Sequence, residues 1–146
     1  MRPLDFYRFA MNLSRSAADE ASCRTVVSRA YYGLHHETCC RFYRVQRYAS
    51  PLDIRRRHTE LLERFNDPLD PVKLEVSSLL GQLLRDRTEA DYIMDPNVRI
   101  GSRLGNCMAL MNHSLRVAEQ LLKALEAYSV GESSDNCICK VVRGSG

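Results

Sequence analysis

Apolar residues recur at intervals of three and four along most of the chain, the spacing of one face of an α-helix. Glycine and proline are sparse within these stretches, which favours long helices over strands. The pattern predicts five helices: Pro3–Ser14, Asp19–Arg47, Asp53–Phe65, Pro71–Met94 and Ser102–Tyr128. Amphipathic helices of this length bury their apolar faces against one another. The predicted fold class is therefore all-α, an antiparallel four- to five-helix bundle.

Residues that begin and end helices support these limits. Pro3 falls in a first turn, where its missing N–H does no harm, and Asp53 is a suitable N-cap for the third helix. The polar stretch after Ser14 is compatible with a turn or with a continuous helical connection between the first two helices. We expect the helical domain to span residues 1–128. We expect the polar, glycine-rich residues 129–146 to be mostly disordered.

The last predicted helix has the most regular apolar stripe, with steps that alternate between four and three residues. Its members are Leu104, Met108, Met111, Leu115, Ala118, Leu122 and Leu125. This alternation is what a helix of an antiparallel bundle presents to its neighbours. We therefore expect this stripe to face the core.

The charge of the chain is uneven and dominated by arginine. The formal net charge is +3, but residues 1–66 carry 12 basic and 7 acidic side chains, and 18 of all 21 basic residues are arginine. Arginine is suited to bidentate phosphate contacts, so a nucleic-acid partner is compatible with this composition. The longest apolar run is too short to span a membrane, and the first residues lack the apolar core of a signal peptide. We expect a cytoplasmic protein with no membrane partner.

The six cysteines do not form a recognisable metal or disulfide framework. Cys39 and Cys40 are adjacent, and no Cys-x-x-Cys pair or zinc-type spacing occurs. We expect reduced thiols, as is usual in a cytosolic protein. The pair Cys137 and Cys139 in the tail is the one place where a metal or a disulfide is an alternative.

Arg87 interrupts an otherwise apolar stripe in the fourth predicted helix. Val76, Leu80 and Leu83 precede it, and Asp91 follows one turn later. Residues four apart are neighbours on a helix, so Arg87 and Asp91 are expected to pair. Two interpretations stay open: a salt bridge that fixes the helix, or an arginine that binds phosphate or sets a pKa.

The second predicted helix contains the stretch SRAYYGLHH, in which Arg29 and His36 differ by only about 20° around the helix axis. Tyr32 lies between them on the same side, whereas His35 points about 120° away, over Tyr31 and Cys39. If Arg29, His36 and Arg87 converge, the histidine could move a proton and the arginines could stabilise charge on a phosphate. That set suits metal-independent RNA cleavage by the 2′-hydroxyl, and it equally suits holding a nucleotide.

The histidines allow two other interpretations. His58 lies in the apolar stripe of the third helix, where a hydrogen-bonded core histidine is the more common occurrence. A metal site would have to combine His35, His36, His58 and Asp91. Adjacent histidines diverge around a helix and no i, i+4 ligand pair supports such a site, so we predict no metal and no cofactor.

Three short motifs together resemble the HEPN domain superfamily, in particular the small stand-alone prokaryotic proteins found beside nucleotidyltransferases. They are SRAYYGLHHETCC, the lone histidine of RRRHTELLERF, and RTEADY. The matching residues are Arg29, Tyr31, Tyr32, His36, His58, Phe65, Arg87, Ala90, Asp91 and Tyr92. Two positions depart from the family pattern. Gly33 replaces alanine, which leaves room for another helix, and His35 replaces an aromatic residue.

The resemblance implies a helical bundle, commonly a homodimer, and many members are metal-independent ribonucleases with an Arg-x4–6-His motif. Arg29 and His36 have six residues between them, which fits that motif. In the best-understood ribonucleases the motif lies on the last long helix, where this chain has His113 with no arginine at that spacing. Other members are thought to be inactive binding or partner modules.

Two functions therefore stay open, and whether the protein is an enzyme stays open with them. The first is an endoribonuclease of toxin or defence type, with Arg29, His36 and Arg87 as its catalytic residues. The second is a non-catalytic module that binds a nucleotide or a nucleotidyltransferase partner. The residues expected to support either site are Tyr32, His35, His58, Asp91 and Tyr92.

Overall fold

A computed structural model describes residues 2–46, 58–93 and 106–128, which form five α-helices and contain no strand. The helices are α1 (Pro3–Ser14), α2 (Glu20–Gln46), α3 (His58–Phe65), α4 (Pro71–Tyr92) and α5 (Cys107–Tyr128). The prediction of an all-α bundle is confirmed. Asp53, Met94, Leu104 and residues 129–146, on which some predictions rest, lie outside the described residues.

Polar side chains cap the helices at the predicted breaks. α1 has the predicted limits, and its Asp5 carboxylate accepts a hydrogen bond of 2.8 Å from the backbone N–H of Arg2. Asp19 accepts from the N–H of Ser22 at 2.7 Å, so the polar stretch before α2 is a turn and not a continuous join. Asp70 accepts from Val72 and Lys73 and starts α4.

α2 occupies the centre of the described fold. It packs against α1, α4 and α5, while α3 packs on α4 and α4 on α5. Tyr31 and Leu34 of α2 are buried, as are Leu80 and Leu83 of α4. Because α2 has neighbours on three sides, few of its described side chains are exposed.

α1 approaches α2 closely at Gly33. A Cβ atom at this position would lie 2.8 Å from the backbone nitrogen of Tyr7 and 3.2 Å from the carbonyl oxygen of Pro3. Heavy atoms do not approach that closely without displacement, so the missing side chain is what allows this contact. The interpretation that Gly33 leaves room for another helix is confirmed.

The apolar stripe expected on α5 is only one edge of the buried face. Met108 is exposed, and Leu115 and Leu122 are only half-buried. The buried residues of α5 are Leu110, Met111, Ser114, Val117, Ala118, Leu121, Ala124 and Leu125. The face is wider than predicted and rotated because α5 contacts both α2 and α4.

The prediction of reduced cysteines is correct at three described positions and wrong at one. Cys23, Cys39 and Cys107 are thiols, and burial raises the pKa of the Cys23 thiol to about 11, which makes it a poor nucleophile at neutral pH. Cys40 is disulfide-bonded. Adjacent residues of a helix point about 100° apart, so Cys39 and Cys40 have different neighbours.

None of the helices within the described ranges combines the length and the apolar character needed to cross a lipid bilayer.

Candidate functional site

Arg87 lies at the centre of a polar cluster between α2 and α4. Only 8% of the residue is exposed, and its Nε atom lies 2.7 Å from Oδ2 of Asp91. The predicted i, i+4 pair is therefore present. The Nε–H does not point along this contact, so the two groups form an ion pair and not an aligned hydrogen bond. Nη2 donates to the hydroxyls of Tyr32 and, at 3.1 Å, Tyr92.

Three tyrosine rings surround the guanidinium of Arg87. Its Cζ atom lies 4.9 Å from the ring centre of Tyr92, 5.0 Å from that of Tyr32 and 5.8 Å from that of Tyr31, within the range of cation–π attraction. Burial opposes the charge, but the oxygens around it outweigh this effect and raise the pKa of Arg87. The guanidinium is thus permanently charged, and it is held by an ion pair with Asp91 and by hydrogen bonds from Nη2 to two tyrosines.

A second part of the cluster joins two histidines through one buried hydroxyl. The Tyr31 hydroxyl is hydrogen-bonded to Nδ1 of His58 and lies 3.4 Å from Nδ1 of His35. A hydroxyl has one proton, so in a fully bonded arrangement one imidazole must donate to the tyrosine oxygen. Burial, helped by the charge of Arg87, lowers the pKa of His58. His58 is hydrogen-bonded, as favoured from the sequence, but it is half-buried and does not lie in the core.

His35 and His36 point in different directions, as predicted. His35 is completely buried, with Nε2 3.9 Å from the sulfur of Cys39. His36 is half-buried, and its ring stacks on that of Tyr32 with 6.3 Å between the centres. Of the two, His36 is the one that reaches the surface of the protein.

Arg29 stands apart from the Arg87 cluster. It is exposed, and its guanidinium lies 5.8 Å from the ring centre of Phe6 on α1. Among the described residues no carboxylate pairs with it. Tyr32 contacts both Arg87 and His36, whereas the guanidinium of Arg29 lies over Phe6. The catalytic roles of these three residues stay predictions.

A further polar cluster between α4 and α5 was missed by the sequence reasoning. Oδ2 of the buried Asp86 accepts from Nδ1 of His113 at 2.8 Å and from the hydroxyl of Ser114 at 2.9 Å. No local signal identifies this cluster, because it depends on how two distant helices align. The exposed Phe9, which lies in a groove beside Arg29, was also missed.

The arrangement of these side chains defines what the site can do. Within the described ranges, no group of three or more His, Cys, Asp or Glu side chains is placed to hold a metal ion. The Arg87 cluster connects α2, α3 and α4 through hydrogen bonds and ring contacts. The exposed side of α2 carries Arg29, whose charge is available to a ligand, and the partly accessible imidazole of His36.

Comparison of the chain with protein-family models, curated proteins and solved structures finds no match.

Proposed function

We propose that this protein is a helical module of HEPN type that binds RNA or a nucleotide along the exposed side of α2, without cleaving it. One observation carries the proposal. The guanidinium of Arg87 is buried and already contacts Asp91, Tyr32 and Tyr92, so it is not open to a phosphate. Arg29, by contrast, is exposed, and no carboxylate among the described residues pairs with it. A phosphate can reach Arg29 without breaking any ion pair among the described residues.

The charge distribution supports a polyanionic ligand. The excess of basic side chains lies in residues 1–66, which include α1 and α2. Arginine presents a planar fork of donors to phosphate oxygens, and phosphate contacts supply most of the sequence-independent affinity for nucleic acids. Binding should therefore weaken as the salt concentration rises.

The second candidate function is a metal-independent endoribonuclease of toxin or defence type. The imidazole of His36, which is half-buried and so partly exposed to solvent, favours it, because such cleavage needs a group that accepts the proton of a 2′-hydroxyl. His36 and Arg29 share one side of α2 and are separated by about 10.5 Å along its axis. The two side chains and the bound RNA would together have to span that distance for both residues to act on one phosphodiester bond.

The experiment that tests the proposal separates binding from cleavage. Labelled single-stranded and structured RNAs are mixed with the purified protein in EDTA, and both anisotropy and RNA length are recorded. We expect binding with the RNA intact, weakened by Arg29→Ala and unchanged by Arg116→Ala, which removes an exposed arginine of α5.

Two other results would overturn the proposal. Cleavage that leaves cyclic-phosphate ends, and that is lost in a folded His36→Ala variant, would establish the ribonuclease. Absence of binding to any RNA or nucleotide would reject both functions. It would turn attention to the nucleotidyltransferase partner and the homodimer that the resemblance implies.

A further inference from the structure

A groove between α1 and α2 lies beside Arg29. It has a volume of about 280 Å³ and is lined by Asp5, Phe6 and Phe9 from α1 and by Arg29 from α2. Phe9 is 52% exposed, although it is one of only four phenylalanines in the chain. An aromatic side chain so open to water, in a concave place, offers a ring face to a ligand.

The charge around the groove is positive in spite of Asp5. The Asp5 carboxylate lies 3.1 Å from the guanidinium of Arg8 and 3.4 Å from that of Arg2, so its charge is already compensated. Arg29 adds a further positive charge, and its guanidinium lies against the ring of Phe6. The groove therefore combines aromatic faces with a cation that suits a phosphate.

We propose that this groove holds one unpaired base of a single-stranded RNA, with the base against Phe6 and Phe9 and a neighbouring phosphate on Arg29. The inference rests on the proposed function and specifies its substrate as single-stranded. A base in a duplex has both faces covered by its neighbours and cannot present one to Phe9. The volume of the groove is just below the usual range for small-molecule pockets, which suits a single ring system.

The test uses Phe9→Ala and a matched control, Met11→Ala. Met11 is also an exposed apolar residue of α1 and does not line the groove. Both changes remove exposed side chains, so both variants should fold, which thermal melting verifies. Affinity is measured by anisotropy with a short single-stranded RNA, with its duplex, and with the same oligonucleotide carrying abasic spacers in place of its bases.

We expect Phe9→Ala to weaken binding of the single-stranded RNA roughly tenfold, the usual effect of losing one stacked base, and Met11→Ala to leave it unchanged. The wild type should prefer the single strand over the duplex and over the abasic oligonucleotide. The Phe9→Ala variant should lose most of the preference for bases over abasic spacers. Removing the ring of Phe9 and removing the bases of the RNA both abolish the same stacking contact.

Three results would overturn the inference, and each of them leads to a different conclusion about the groove. Equal binding by Phe9→Ala and Met11→Ala would reject the groove while leaving RNA binding in place. If Phe9→Ala instead lowered the mass of the particle in sedimentation and left RNA affinity unchanged, the groove would be covered by a second copy of the chain. Absence of RNA binding by the wild type would reject the proposed function together with the inference.

Discussion

Two arginines on neighbouring helices have different surroundings. Arg87 is buried, paired with Asp91 and enclosed by tyrosine rings, whereas Arg29 is exposed beside Phe6. Removing one partner of a buried pair leaves the other charge uncompensated, which costs far more than losing an exposed charge. At the scale of the residue, Arg87 therefore contributes to the packing of α2 against α4, and Arg29 is the arginine to which the proposed function assigns ligand binding.

The Tyr31 hydroxyl should contribute measurably to stability. It is buried and hydrogen-bonded to His58, with His35 at 3.4 Å. Tyr31→Phe should lower the free energy of unfolding by about 1–3 kcal/mol, because it leaves the partly buried Nδ1 of His58 without this hydrogen bond. Urea unfolding checks this value. Tyr7→Phe, which removes a hydroxyl with no hydrogen bond among the described residues, is the control and should change stability by far less.

The lowered pKa of His58 predicts a dependence of stability on pH. Burial and Arg87 hold the folded-state pKa below its ordinary value of 6.5, so the unfolded chain binds the proton more readily. The stabilising contribution is fully present above pH 6.5 and is lost as the pH falls below it. Urea unfolding at several pH values should show a smaller acid loss in His58→Gln than in the wild type. If both proteins lost the same amount of stability in acid, groups other than His58 would be responsible for the loss.

At the scale of the element, the close contact of α1 with α2 depends on Gly33. Gly33→Ala would place a Cβ 2.8 Å from the backbone of Tyr7. The overpacking costs about 1–3 kcal/mol, which exceeds the gain of up to about 1 kcal/mol in helix propensity. We therefore expect a net loss of stability in thermal or urea unfolding.

Gly81→Ala on α4 is the matched control. Its Cβ would lie 3.9 Å from Cδ2 of Leu62, an ordinary van der Waals contact. The gain in helix propensity is then unopposed, and stability should rise by up to about 1 kcal/mol. If both alanine variants changed stability in the same direction, the close approach at Gly33 would not be the cause.

Features that arise within one helix could be predicted from the sequence. The limits of α1 and the pairing of Arg87 with Asp91 follow from local spacing and capping. Contacts between helices could not be predicted, because they depend on rotation and alignment. Thus the bond from Arg87 to Tyr32 and the bond from His113 to Asp86 have no signal in the sequence.

At the scale of the whole molecule, the described fold separates a framework from a surface. The framework joins α2, α3 and α4 through Arg87, Tyr31 and His58, and the surface is the side of α2 that carries the exposed Arg29 and the half-buried His36. This separation is the reason we propose that the protein binds RNA and does not cleave it. The separation of a buried framework from an exposed surface is our central claim.

Thermal unfolding of Arg87→Met beside Arg29→Met tests that claim most directly. Arg87→Met leaves Asp91 without its cation and should cost about 2–4 kcal/mol, or a melting temperature lower by roughly 6–16 °C. Arg29→Met should melt within about 1–2 °C of the wild type, since exposed substitutions change stability little. If Arg87→Met melted like the wild type, the buried cluster would not be a framework and Arg87 would again be a candidate for the chemistry of the site.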